Sequence, residues 1–186
     1  MTLTKALLPG LSLTQKAAMA VAGSLFIALA AQIAVPFYPV PMTLQTLAIL
    51  IVGLTFGARL GGATLLLYLA EGAVGLPVFA NGASTLAYMM GPTGGFLIGF
   101  AMMAVLAGLA VETGLARGFV RMAIAAVVVS LLLYVPGLAW PAALMGKTMP
   151  ELWSGWMSPF LIGDAVKAVL AALVVTGGWA ALGKRA

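Results

Sequence analysis

The chain has 186 residues, of which 63% are hydrophobic and only 7% charged, against about 25% charge in a soluble domain; such a chain belongs in a bilayer. It contains no His and no Cys, which excludes disulfides, thiol nucleophiles, imidazole bases and the usual zinc ligands together. The four acids are scattered and the +5 net charge is dispersed as single basic residues at helix ends, so neither a paired-carboxylate enzyme nor a nucleic-acid partner is expected.

In chain order the pattern predicts one all-α, polytopic membrane domain over residues 1–186. Lys5 and Lys16 precede an apolar run, which a secretory signal would also do. The run from Ala17 to Val35 exceeds the roughly 7–15 residues of a signal core, so a retained helix is expected. Ser12 and Gln15 form an S-x-x-Q capping box that starts this helix at Leu13. It is expected to span 13–34 and stop before Pro36, about 33 Å at roughly 1.5 Å per residue, enough to cross.

Three prolines forbid helix interior in VPFYPVPMT, residues 35–43. Further spans are expected at 44–56, 60–74 (broken by Gly75-Leu76-Pro77), 94–113, 119–135 and 159–182, giving a six-helix bundle. Residues 137–158 are left as the longest outer connection. In it Thr148 and Glu151 form a second capping box, with Trp153 and Trp156 on one face of a short interfacial helix and Trp140 nearby. Those tryptophans fit lipid anchoring in an aromatic belt or the roof of a ligand pocket.

With the N-terminus cytoplasmic, the inner segments hold Lys5, Lys16, Arg59, Arg117, Arg121, Lys184 and Arg185, and the outer loops only Lys147. Seven against one is a strong positive-inside bias, which fits an even number of spans with both termini cytoplasmic.

Small residues recur every four positions at Gly53, Gly57 and Gly61, at Gly91, Gly95 and Gly99, and at Ala20, Ser24 and Ala28; Ala18 and Ala22 add another pair. Such rows let helix backbones approach closely. They fit packing within the chain or a helix from another subunit, a second copy of the chain included.

Asp164 and Lys167 lie one helical turn apart in the last span. A charge at that depth costs about 2.5–3.5 kcal/mol even on insertion scales. Asn81, Thr85 and Tyr88 fall in the connection 75–93, Thr43 and Gln45 at the entry to the second span, and Glu71 in the outer half of the third. All share one level of the bilayer, whereas the inner half is almost purely apolar. An outward-opening pocket follows, with apolar surface from Phe37, Tyr38, Phe79 and Tyr88. Its cation, carboxylate and amides suit a small acid with an amide-like or ureido head and an apolar body. Blander readings stay open: a self-satisfying i, i+3 ion pair with a snorkelling lysine, Asn81-Gly82 as a turn, and Thr43 and Gln45 as helix caps. Glu71 fits a polar cavity or a neighbouring helix.

The segments VPMTLQTLAILIVGLTFGARLG, YLAEGAVGLPVFANG, GPTGGFLIGF and LIGDAVK, in that order over roughly 12–182, resemble the BioY proteins. These are the biotin-specific substrate-binding (S) components of energy-coupling factor (ECF) transporters. The resemblance implies a six-helix bundle in the bacterial cytoplasmic membrane with a biotin pocket near the outer face. It implies that Asn81, Asp164 and Lys167 line the pocket, with Tyr88 and Gln45 beside them, and Thr43 is expected there from its place at the entry to the second span. It also implies a transmembrane coupling subunit that contacts the small residues of the first helix, and two ATPase subunits. This chain has no G-x-x-x-x-G-K-[ST], so no cofactor of its own is expected and ATP is left to the partners. A subunit for thiamine would favour acids around a cation, whereas Lys167 favours an anion; a membrane enzyme would need a catalytic constellation that the composition withholds.

Overall fold

The computed structural model describes residues 2–8 and 10–183; Lys184 and Arg185, part of the inner charge count, lie outside the described residues. A short helix that the sequence pattern did not announce, α1 (Leu3–Leu7), precedes α2 (Leu13–Gln32). The capping box forms as its residues dictate. The Ser12 hydroxyl accepts the Gln15 N–H at 3.2 Å, and Gln15 Oε1 accepts the Ser12 N–H at 2.9 Å. α2 ends two residues earlier than expected because Ala34–Val35 (β1) pairs antiparallel with Met42–Thr43 (β2), Ala34 facing Thr43. The prolines of segment 35–43 occupy the connection of this hairpin.

α3 (Gln45–Phe56) and α4 (Ala58–Ala73) are joined by Gly57 alone, at φ +84°. That left-handed conformation favours glycine. The row of Gly53, Gly57 and Gly61 is therefore not one helical stripe. Gly57 is the hinge of the turn, and Gly53 sits against α6 (Gly94–Glu112), where an added Cβ would lie 2.6 Å from the Ala104 carbonyl oxygen. A 3-10 turn (Ala80–Gly82) and α5 (Thr85–Met89) fill the connection before α6.

One expectation is corrected. α7 (Gly118–Leu132) does not end in a long connection; it passes through Leu133 directly into α8 (Tyr134–Met145). The expected span 119–135 stops just short of Pro136. In the fold Pro136 is the third residue of α8, where no N–H partner is required. Pro141 stays inside the helix. α9 (Met149–Leu152), a π-helical turn (Trp153–Met157) and α10 (Leu161–Ala181) complete the chain.

Among the described residues, four helical stretches are long and apolar enough to cross a membrane: Leu13–Gln32, Gly94–Glu112, Gly118–Met145 and Leu161–Ala181. α3 and α4 are shorter, at 12 and 16 residues. α6 is the central post, packed on α3, α4 and α8, while α10 packs on α7 and α3, and α2 leans on α4. Burial follows that order: 67% of the α6 span is buried within the bundle, against 28% of α2. Ala20, Ser24 and Ala28 all face inward and are buried, so this small-residue row packs within the chain, whereas Ala18 and Ala22 are exposed.

Candidate functional site

Strand β2 and the residues before it, the connection carrying Ala80 and Tyr88, the starts of α3, α6 and α10, and the α7–α8 junction meet at one end of the bundle. There they enclose a cavity of about 570 Å³, its open mouth included. Its walls are mostly apolar, with Phe96, Phe100 and Phe160 among the lining residues. Five of the six residues expected at the site line it directly: Thr43, Gln45, Tyr88, Asp164 and Lys167.

Asp164 and Lys167 project from one face of α10, and each is 7% exposed. The Lys167 ammonium lies 2.6 Å from Asp164 Oδ1 and donates to the Thr43 carbonyl at 3.1 Å. Asp164 also accepts from the Tyr134 hydroxyl at 2.6 Å and the Thr46 hydroxyl at 3.2 Å. Three donors thus hold one carboxylate, which is what a charge needs to survive at low dielectric. An ammonium carries three N–H donors, and two of Lys167's have partners, so one has none among the described residues, on a side chain that lines the cavity. Thr93 also lines the cavity, and its hydroxyl is buried with no partner among the described residues.

Gln45 is fixed rather than free. Its Oε1 accepts from the Thr43 hydroxyl at 2.8 Å, and its Nε2 donates to the Tyr68 hydroxyl at 2.8 Å. Tyr68 in turn donates to the Val78 carbonyl at 2.9 Å, which ties the 75–93 connection to α4. Tyr88 stacks on Phe79, centroids 5.6 Å apart, and Phe79 packs edge-on against Tyr68.

Asn81 is not brought to the cavity wall. It lies exposed on the 3-10 turn at φ 56°, the turn conformation that Asn-Gly favours, while its neighbour Ala80 does line the cavity. Thr85 is exposed, and Tyr38 is 95% exposed and contributes no wall, although Phe37 packs on Phe160 at 6.0 Å. Glu71 faces a neighbouring helix, where its carboxylate accepts from the buried Ser24 hydroxyl. The tryptophans divide. Trp153 is exposed, but Trp156 is buried and donates to the Pro92 carbonyl at 3.3 Å, as Trp140 does to Gly91 at 3.1 Å. These two clamp the entry to α6 rather than only anchoring to lipid.

Sequence reasoning passed over Tyr134, Thr46 and Thr93. Tyr134 carried the one available signal, a lone hydroxyl-bearing aromatic at the end of the aliphatic run VVVSLLL.

Comparison with known proteins bears on the family and the fold. The BioY family model matches residues 3–184. The chain belongs to the BioY family. Among BioY relatives, a probable biotin transporter from Pyrococcus horikoshii is 36% identical over 154 residues, 81% of this chain and 90% of its own. A biotin transporter from Rhizobium etli is 35% identical across 76% of this chain and 79% of its own. One from Rhodobacter capsulatus is 36% identical across 81% and 85%. The crystal structure of the S component for biotin from an ECF-type ABC transporter superposes with a TM-score of 0.77, at 23% identity, covering 89% of this chain and 93% of that one. The BioY chain described here therefore shares the S-component fold.

Proposed function

We propose that this chain captures biotin as the substrate-binding membrane subunit of an ECF-type uptake transporter. The observation that carries the reading is the buried Asp164–Lys167 pair on the wall of an aromatic cavity, with one lysine N–H and the Thr93 hydroxyl still unpaired among the described residues. The family match and the named transporters among its relatives support it. Biotin joins an apolar body to a ureido ring at one end and a carboxylate at the other. The free Lys167 N–H suits the carboxylate, and acceptors at Asp164 and the Thr43–Gln45 pair suit ureido N–H groups. Asn81 joins the site when the connection carrying it closes over the ligand; its adjacency to Ala80 on the cavity wall speaks for that step.

In the same reading α3 and α4 are two short spans that bring the bundle to six, in one membrane domain over 1–186. The basic end of the bundle is cytoplasmic and the cavity faces outward, in a cytoplasmic membrane. A transmembrane coupling subunit docks on the exposed Ala18–Ala22 side of α2, and its two ATPase partners supply the energy, so this chain needs no cofactor. Because the Ala20–Ser24–Ala28 row is packed internally, homo-oligomer contacts would also have to use the exposed face.

Equilibrium binding of biotin and thiamine to the detergent-purified chain is the test. Tight biotin binding without thiamine binding is expected; biotin affinity no better than micromolar would sink the assignment. Biotin methyl ester then orients the ligand. Lys167→Ala should erase the preference for acid over ester if Lys167 holds the carboxylate, whereas equal losses for both place it at the ureido end.

A further inference from the structure

At the opposite end of the bundle a groove of about 1,610 Å³, open side included, runs between α1, α2 and the start of α4. We infer that it seats an anionic glycerophospholipid, headgroup against Lys5, Lys16 and Arg59 and an acyl chain against Phe56, Leu60 and Ala63. The inference is independent of the biotin reading.

Two features of the groove coincide. Its rim carries three exposed cations, none with an ion-pair partner among the described residues. The one acid on the rim, Glu112, points its carboxylate at the Ala58 N–H at 3.3 Å, where it caps the start of α4. Three cations against one carboxylate leave the concavity with a net charge of +2, which a further anion lying between the cations offsets. Below the rim the walls are apolar, and α2 beside them keeps Leu13 83% exposed, so hydrocarbon lies alongside.

A phosphate ion would satisfy the rim and leave the apolar wall bare. A neutral lipid would do the reverse. An anionic lipid satisfies both, as basic pockets between membrane helices do for acidic headgroups. The second groove at this end, between α6 and α7, offers an apolar wall with Arg121 as its one cation and so makes an internal control.

Native mass spectrometry on the full-length protein in detergent tests this, with phosphatidylglycerol, phosphatidylcholine and glycerol phosphate as probes. Phosphatidylglycerol should be retained in preference to the other two. At about fivefold per cation near a membrane surface, the triple variant Lys5→Gln, Lys16→Gln, Arg59→Gln should weaken retention about 100-fold, while Arg121→Gln leaves it unchanged. Ala63→Trp should also abolish retention, by filling the apolar half with the charges intact. If its melting temperature shows that it fails to fold, Ala17→Leu makes the same test as a smaller plug.

Equal retention of phosphatidylcholine, binding of glycerol phosphate as tight as that of lipid, or loss in the charge variant without loss in the plug variant would each overturn the proposal. So would a wild-type protein that holds no lipid and whose charge variant fails to co-purify with a coupling subunit, which would assign the groove to a protein partner.

Discussion

Asp164 and Lys167 at one end of the bundle are buried and joined to Tyr134, Thr46 and Thr43. Lys5, Lys16 and Arg59 at the other end are exposed, and no carboxylate among the described residues pairs with them. Both ends are polar, yet only the first is pre-organised, because its side chains are held by three helices and a hairpin. The second end is a rim of flexible side chains over an apolar groove. Specific recognition of a small molecule belongs to the first arrangement and electrostatic attraction to the second. Substitutions at the cavity end should therefore disturb folding and binding together, and those at the basic end should leave folding alone.

The largest effect is expected from Asp164→Ala. It strands the Lys167 ammonium and removes the acceptor of two hydroxyls, and breaking such a buried pair is worth about 3–5 kcal/mol. Thermal unfolding in detergent should record that loss, and biotin binding should vanish. The double variant Asp164→Leu, Lys167→Met sharpens the comparison. Well-packed apolar replacements of a buried pair are often neutral in stability, so melting should recover while binding stays lost. Recovery of both would make the pair merely structural.

Tyr134→Phe comes next. It removes one hydroxyl donor to a charged acceptor, worth about 1.5–3 kcal/mol, and biotin affinity should fall by about tenfold or more on the same grounds. An unchanged affinity would show that Asp164 needs no second orienting donor.

Asp164 and Lys167 were legible in the sequence because a charge inside an apolar span has few excuses. The start of α2 was legible because a capping box is a local device, closed by residues three apart. Tyr134 was not, since its role depends on α7 running on into α8 past Pro136. Whether a proline ends a helix is decided by its position within the first turn and by what packs there, and neither is written at the proline itself. Glu71 shows the same limit: its carboxylate could be placed by depth, but its partner, Ser24, lies 47 residues away on another helix.

Glycine substitutions compare the two ends at smaller scale. Gly95 lies on α6 where an added Cβ would run into the Pro136 carbonyl and Trp140, so Gly95→Ala overpacks the helix contact behind the cavity and should cost about 1–3 kcal/mol. Gly177, far along α10, has nothing within 4 Å of that position. Gly177→Ala should then be neutral or stabilising by up to about 1 kcal/mol from helix propensity alone. Matched melting curves decide it, and equal losses at both glycines would deny that the cavity end is the more tightly packed.

The smallest effect is expected at Glu151, in the connection beside the cavity. The Thr148 backbone N–H, then the Lys147 ammonium and the Thr148 hydroxyl, hold its carboxyl down at about 2. A depressed folded pKa stabilises the folded state above the unfolded value of about 4.3, and that contribution fades as pH falls toward 2. The side chain is exposed, so solvent and salt screen the interaction and its share of stability is slight. Glu151→Gln should thus melt almost as the parent does at pH 7, with the two curves converging further below pH 4. Since Asp164 is held by buried donors on other elements, biotin binding should be indifferent to this substitution at neutral pH. A loss of binding in Glu151→Gln would mean that the exposed connection, and not the buried pair alone, sets the geometry of the cavity.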